Sequence, residues 1–182
     1  WCSPACATSG TDVVGVILRE AVAADTDRVV ALNATEVAQT SAMDHARLQD
    51  LAGMACRFKV AELDGRVVAF LLAMDHQARY DNDNFRWFAA RYPRFVYIDR
   101  IVVDTTAAGM GIGGALYRDL FAQARMRGID RVVCEYNLEP PNPASRAFHD
   151  RFGFREVGQQ RVAGGSKLVS LQALELPLEA TQ

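Results

Sequence analysis

YIDRIVVDTTAAGMGIGGAL, residues 97–116, is the stretch on which the interpretation of this chain rests. The apolar run through Val103 predicts a strand, and the glycines from Gly109 to Gly114 lead into an amphipathic helix. Glycines let the backbone approach a ligand closely, and the start of a helix offers unpaired N–H groups and the positive end of its dipole. The stretch therefore predicts a site for an anion such as a pyrophosphate.

Length and composition favour one domain. The 182 residues are half apolar, which is enough for one core and short for two. We expect an irregular segment over residues 1–12 and a single domain over residues 13–178. The net charge of -2 argues against a nucleic-acid partner. No apolar run approaches the roughly 20 residues that span a bilayer, so no membrane segment is expected.

The cysteines and histidines do not form a metal-binding pattern. Of the four cysteines, only Cys2 and Cys6 lie close together, so neither a zinc site nor a disulfide framework is favoured. His45 and His76 have no cysteine or carboxylate set at metal spacing, and we interpret both as surface residues. We therefore predict no metal and a reducing, cytoplasmic compartment.

Hydrophobic periodicity predicts the element order β, α, α, β, β, β, α, β, α, β, β. The hairpin turn at Asp64-Gly65 and the helix stop at Gly128 are the clearest boundaries. The predicted strands cover residues 13–21, 57–63, 66–74, 95–103, 130–137, 154–162 and 167–176, and the helices cover residues 25–33, 44–55, 112–127 and 142–152.

Residues 75–94 break this pattern. They combine charges and two asparagines with an aromatic group and end near Pro93. Such a segment is either a lid over a binding site or a helix that covers a sheet edge. Its aromatic residues are Tyr80, Phe85, Trp87, Phe88 and Tyr92.

The glycine stretch matches two known phosphate-binding patterns imperfectly. A nucleoside-triphosphate loop needs Lys and then Ser or Thr after its last glycine, but Ala115 and Leu116 follow Gly114. Residues 109–114 do satisfy G-x-G-x-x-G, and Glu135 lies where a ribose-binding acid is expected. However, residues 104–108 separate the strand from the first glycine, and hairpins join most strands. A nicotinamide-dependent oxidoreductase therefore remains only an alternative.

A third interpretation comes from motifs taken together. IVV at 101–103, GIGGAL at 111–116, NPASRAFH at 142–149 and Gly153-Phe154 resemble the GCN5-related N-acetyltransferase (GNAT) superfamily in order and spacing. LREA at 18–21 with Asp25 is similar to that superfamily's first strand and helix. The resemblance covers residues 16–176. It implies an α/β (α+β) fold with a mixed, mostly antiparallel seven-stranded sheet, flanked by about four helices and splayed between strands 4 and 5.

The resemblance also implies acetyl-CoA in the splayed opening. The main chain at Ile101 and Val103 would pair with the pantetheine amides, the N–H groups of residues 108–114 would hold the pyrophosphate, and Asn142 would bond the pantetheine arm. The residues expected to bind the cofactor are Ile101, Val102, Val103, Ala108, Gly109, Met110, Gly111, Ile112, Gly113, Gly114, Asn142 and Ser145. The superfamily usually has Arg or Gln at the position of Ala108, so here the backbone would carry most of the phosphate binding.

Acetyl transfer needs a neutral amine and a proton for the departing sulfur. His149 occupies the position where many relatives carry a proton-donating tyrosine, and histidine suits this role because its pKa lies near working pH. Its alternative is a solvent-facing residue without a role. Asp99 is the predicted base, with an ion pair to Arg100 as the alternative, and Glu135 could replace it or face solvent.

The sequence leaves the acceptor open. Tyr97, Glu135, Asn137, Tyr80 and Trp87 are candidate acceptor contacts. We predict direct acetyl transfer from acetyl-CoA to a primary amine of a small molecule or peptide. The alternatives are a CoA-binding sensor on the same fold and, less favoured, the oxidoreductase. The family also implies that a homodimer can form.

Overall fold

A computed structural model describes residues 15–177, and the predicted irregular segment at 1–12 lies outside that range. None of the helices in the described part is long and apolar enough to span a membrane. The strands are β1 (Val16–Glu20), β2 (Arg57–Leu63), β3 (Arg66–Asp75), β4 (Val96–Val103), β5 (Arg131–Glu139), β6 (Arg155–Val162) and β7 (Lys167–Glu175). The helices are α1 (Thr26–Thr35), α2 (His45–Met54), α3 (Asp83–Ala89), α4 (Ile112–Met126) and α5 (Pro143–Arg151).

The seven strands form one mixed sheet, as the family resemblance implied. Their order is β1-β2-β3-β4-β5-β7-β6, and every neighbouring pair is antiparallel except β4 and β5. The parallel pair is joined only at Val96↔Val132 and Tyr97↔Val133, after which the two strands diverge. This divergence confirms the predicted opening between strands 4 and 5. A single short parallel pair is not a dinucleotide-binding sheet, so that alternative fold is wrong.

Helices cover both faces of the sheet and so divide the core in two. Phe70, Leu72 and Tyr97 pack with α1, α2 and α3 on one face. Leu71 and Ile98 pack with α4 on the other face. Because both faces of β3 are covered, its residues 67–74 are all buried and read as an uninterrupted apolar run.

The segment at 75–94 contains the helix α3. The described part of the chain therefore has five helices, where about four were expected. Asn82 caps α3 by accepting hydrogen bonds from the N–H groups of Asn84 and Phe85. Phe85 and Phe88 are buried in the core beside Tyr97. The segment combines the two predicted alternatives, since it covers the sheet and its residues 80–84 line the cavity described below.

A bulge in β4 changes which side chains share a face. The register runs from Leu72↔Arg100 directly to Ala73↔Ile98, so Asp99 is the extra residue. Adjacent strand residues normally point to opposite faces, but the bulge lets Asp99 and Arg100 point to the same one. The sheet face that carries α1 thus receives two neighbouring charged side chains.

Candidate active site

The opening between β4 and β5 forms a cavity of about 640 Å³. One end is lined by Ile101, Gly113 and Asn142, near the starts of α4 and α5. The other end is lined by the loop at 36–41 and residues 80–84, on the α1 side of the sheet. The cavity therefore passes through the sheet and joins its two faces.

The start of α4 has the features of an anion-binding site. Gly109 and Gly111 have φ angles of 78° and 79°, which favour glycine, and they turn the chain into the helix. Side chains cap α2, α3 and α5, but no side chain of the described residues caps α1 or α4. Among residues 15–177, no acceptor is found for the N–H groups of residues 111–114. These free donors and the helix dipole fit a pyrophosphate without a side chain at Ala108.

The neighbouring backbone fits the pantetheine arm. Beyond Tyr97 the edge of β4 that faces β5 has no strand partner in the described part of the chain, and residues 98–103 line the cavity. An extended chain with amide groups can pair with such an edge like an added strand. Asn142 and Ser145 also line the cavity, and the Asn142 Oδ1 atom accepts from the Ser145 N–H at 3.0 Å. Six of the predicted cofactor residues line the cavity: Ile101, Val102, Val103, Gly113, Asn142 and Ser145. The other six belong to the glycine loop and the first turn of α4, outside that lining, and all contacts to acetyl-CoA stay predictions.

Glu135 lies on β5 where the two strands separate. The Tyr97 hydroxyl donates to its Oε1 atom at 2.9 Å. Its Oε2 atom is buried and has no hydrogen-bond partner among the described residues. Burial disfavours the charged form and raises the pKa of Glu135 to about 7. Near neutral pH this carboxyl group can therefore hold or release a proton.

Asp99 is engaged by neighbouring side chains. Its carboxylate accepts from the Tyr80 hydroxyl and, at 2.6 Å, from the Arg100 Nε atom. Both charged side chains are only 3% exposed. The ion pair that the sequence offered as the alternative is therefore present, and a role for Asp99 as base stays an untested prediction.

Arg100 continues this network into the loop after α1. Its Nη1 atom donates to Asn33 Oδ1 at 2.9 Å and contacts the Met43 sulfur at 3.5 Å. Its Nη2 atom donates to the Ser41 hydroxyl at 3.3 Å. The guanidinium thus ties the bulge in β4 to the loop that lines the α1 end of the cavity.

His149 is buried on α5, so the alternative of a solvent-facing residue is wrong. Its Nδ1 atom lies 2.7 Å from the Ser145 carbonyl oxygen, and its Nε2 atom lies 2.9 Å from the Tyr117 hydroxyl. The carbonyl requires a proton on Nδ1, so Nε2 accepts from Tyr117. Burial lowers the pKa of His149, which favours this neutral form.

The remaining candidates divide into two groups. Tyr80 and Asn137 line the cavity, where the Asn137 amide donates to Gln39 Oε1 at 3.1 Å. Tyr97 is fully buried and is not part of the lining, and it reaches the site only through its hydrogen bond to Glu135. Trp87 is not part of the cavity lining, and its ring packs against Gly158 of β6. Residues 15–177 contain no group of three or more His, Cys, Asp or Glu side chains placed to hold a metal ion.

Residues 24–154 match the model of the Acetyltransferase (GNAT) family. This match spans most of the chain and includes both the glycine loop and α5. The chain belongs to the GNAT acetyltransferase family. A stretch of 64 residues is also 39% identical to phosphinothricin N-acetyltransferase of Streptomyces coelicolor and covers 35% of this chain. In that alignment the chain spans about a third, 36%, of the curated relative's length.

Solved GNAT-like structures share the fold. Ard1 from Thermoplasma volcanium superposes with a TM-score of 0.74 at 19% identity, over 90% of this chain and 99% of that one. YncA from Salmonella typhimurium, solved with its cofactor acetyl-CoA, has a TM-score of 0.65 at 22% identity, over 92% and 97% of the two chains. These structural similarities show that the fold extends over nearly the full length of the chain.

Three residues of this GNAT site escaped the sequence interpretation. Tyr117 lies on the buried face of α4, and its polar hydroxyl among Leu116, Leu120 and Phe121 was the available signal. Arg100 was considered only as a neighbour of Asp99. Lys167 follows Gly164-Gly165-Ser166 and is one of just two lysines in the chain, and this rarity was the signal.

Proposed function

We propose that this chain is an acetyl-CoA-dependent N-acetyltransferase that transfers an acetyl group directly to a primary amine. One observation carries the proposal: a buried carboxyl group with a pKa of about 7 shares a cavity with the uncapped start of α4. Acetyl-CoA supplies a thioester activated for attack by an amine. The chain supplies residues that hold both reactants. It also supplies a base that takes a proton from the amine and an acid that gives a proton to the departing sulfur.

Glu135 is the proposed base. Glu135 lines a cavity that an amine can enter, its buried Oε2 atom has no hydrogen-bond partner among the described residues, and its pKa suits removal of a proton near pH 7. The Tyr97 hydroxyl holds the other carboxylate oxygen and so fixes the direction of Oε2. Asp99 already carries hydrogen bonds from Tyr80 and Arg100, which is why we place Glu135 before Asp99.

Tyr117 and His149 form the proposed proton-donating pair on the other side of the cavity. With Nδ1–H given to the Ser145 carbonyl and Nε2 accepting, neutral His149 has no free N–H to give. The proton on this pair belongs to the Tyr117 hydroxyl. To protonate the departing thiolate, the Tyr117 O–H has to turn from His149 Nε2 towards the sulfur, and the prediction that His149 alone is the acid is refined to the pair.

We expect Tyr117→Phe to lower kcat by about tenfold to a hundredfold with little change in the KM for acetyl-CoA, because it removes only the proton donor. Steady-state kinetics would measure both constants. The double variant Tyr117→Phe/His149→Tyr returns a hydroxyl from α5 and should recover part of kcat. A recovery no better than Tyr117→Phe alone would contradict the role of the pair.

The function itself is tested by calorimetric titration with acetyl-CoA and with NADH, followed by an acetylation assay on a broad amine panel. We expect acetyl-CoA to bind, NADH not to bind and at least one amine to be acetylated. Gly113→Val should weaken acetyl-CoA binding at least tenfold, because a Cβ atom there lies 3.3 Å from Phe148 and closes the backbone approach. Gly53→Val, with no atom within 4 Å of the added Cβ, is the control.

The titration also separates the alternatives. Acetyl-CoA binding without turnover of any amine would favour the CoA-binding sensor, and NADH binding would contradict the proposed function. Phosphinothricin is a reasonable member of the amine panel because of the relative's name. We further propose a reducing, cytoplasmic location, because Cys56 and Cys134 form no disulfide within residues 15–177, and a homodimer, because of the family resemblance.

A further inference from the structure

We infer that the acceptor is a small amine with a net positive charge and not a polypeptide. The inference rests on the proposed function and concerns the end of the cavity on the α1 side, which we call the acceptor end. Three segments wall it: the loop at 36–41, residues 80–86, and the turn between β6 and β7 with Lys167. A polypeptide acceptor needs a groove between such segments, and here hydrogen bonds join them.

The loop at 36–41 is tied to the sheet across the acceptor end. The Lys167 ammonium group donates to the carbonyl oxygens of Ala38 and Thr40, at 3.0 and 3.2 Å. The Asn137 amide donates to the Ala38 carbonyl at 3.4 Å and to Gln39 at 3.1 Å. Two strands, β5 and β7, therefore hold the same loop, and the gap between the loop and the β6–β7 turn is closed by these contacts.

Residues 80–87 form the opposite wall of the acceptor end, and contacts with two strands hold them in place. The Gln160 amide of β6 donates to Asn84 Oδ1 at 3.3 Å. A Cβ atom on Gly158 of the same strand would lie only 2.6 Å from the Trp87 ring, so α3 and β6 are in close contact. The Tyr80 hydroxyl ties the start of this segment to Asp99 of β4. Residues 80–87 thus bridge β4 and β6 and close the second side.

Charge at the acceptor end favours a cation. Glu36 has no ion-pair partner among the described residues, and Asp81 and Asp83 share the single guanidinium of Arg86. The ammonium of Lys167 contributes one positive charge, and its two hydrogen-bond partners are carbonyl groups. Asp99 and Arg100 cancel each other. Among the residues that line the cavity, carboxylate groups therefore outnumber cationic groups even when Glu135 is protonated. An amine with a second positive charge is thus favoured over a zwitterionic amino acid.

The test compares kcat/KM for three acceptor classes at one acetyl-CoA concentration: putrescine and spermidine, free amino acids, and short peptides with a free N-terminus and a lysine. We expect at least one of the two polyamines to exceed every peptide and amino acid by about a hundredfold. Equal or better turnover of peptides would overturn the enclosed site, and better turnover of amino acids would overturn the charge argument. If acetyl-CoA binds and no amine of any class is acetylated, the proposed function fails instead.

A variant tests the enclosure directly. Lys167→Met removes both hydrogen bonds to the loop at 36–41, and we expect the preference for spermidine over a peptide of the same net charge, on which the lost positive charge acts equally, to fall about tenfold. Lys59→Met is the matched control, since Lys59 pairs with Glu20 and is not part of the cavity lining. An unchanged preference in Lys167→Met, with acetyl-CoA binding intact, would show that these contacts do not exclude peptides.

Discussion

Replacement of Glu135 by glutamine should lower kcat by about 10²- to 10⁴-fold, which is the range that a positioned general base contributes. The substitution keeps the shape of the side chain and its contact with Tyr97 but removes the group that accepts the amine proton. Because the start of α4 is untouched, the Kd for acetyl-CoA should not change. Steady-state kinetics and calorimetric titration would measure the two quantities.

The role of Glu135 as the base also predicts how the rate depends on pH. The base must be ionised, so kcat/KM of the unmodified chain should rise with pH through an apparent pKa near 7. The Glu135→Gln variant should lose that limb. Glu139→Gln, on the same strand but exposed and paired with Arg161, should keep both rate and profile. A variant of Glu135 with the original rate and profile would move the role of base to Asp99 or to solvent.

Arg100→Met should produce the largest loss of stability. The substitution leaves the Asp99 carboxylate buried without its cation, and breaking a buried ion pair from one side costs about 3–5 kcal/mol. It also removes the donors to Asn33 and Ser41, so the loop at 36–41 should loosen. Urea unfolding at pH 7 would measure the change in the free energy of unfolding.

Two further variants define the origin of that loss. Asp99→Asn/Arg100→Met removes both charges and should be more stable than Arg100→Met, because no ion is left unpaired. Arg161→Met, at an exposed pair, should change the free energy of unfolding by less than about 0.5 kcal/mol. If the double variant is no more stable than Arg100→Met, the loss comes from packing and not from the unpaired charge.

Much of the fold could be predicted because its signals are local. The apolar runs of β3 and β4, the Asp64-Gly65 turn and the glycine entry to α4 each depend on neighbouring residues only. The short helix α3 was left open for the opposite reason. Its seven residues are held by the Asn82 cap and by packing of Phe85 and Phe88 against distant strands, which no local periodicity reports.

The candidate site was less predictable because its chemistry depends on contacts between distant residues. Glu135 differs from an ordinary exposed glutamate only through burial and the hydroxyl of Tyr97, 38 positions away. Asp99 is bound to the next residue, Arg100, only because of a bulge in the pairing with β3. The partner of His149 lies 32 positions earlier on another helix. Sequence motifs named the region correctly but could not assign these partners.

The burial of Glu135 also links the proposed catalysis to the stability of the fold. The pKa of Glu135 is raised from 4.5 to about 7 in the native state, so between these values the folded chain binds more protons than the unfolded chain. The contribution of Glu135 to the free energy of unfolding therefore falls as pH rises through this window and stays lowered above it. The ionisation that makes the carboxylate reactive is the same one that weakens the native state. Glu135 thus contributes more to stability in slightly acidic conditions and more to the rate in slightly alkaline ones.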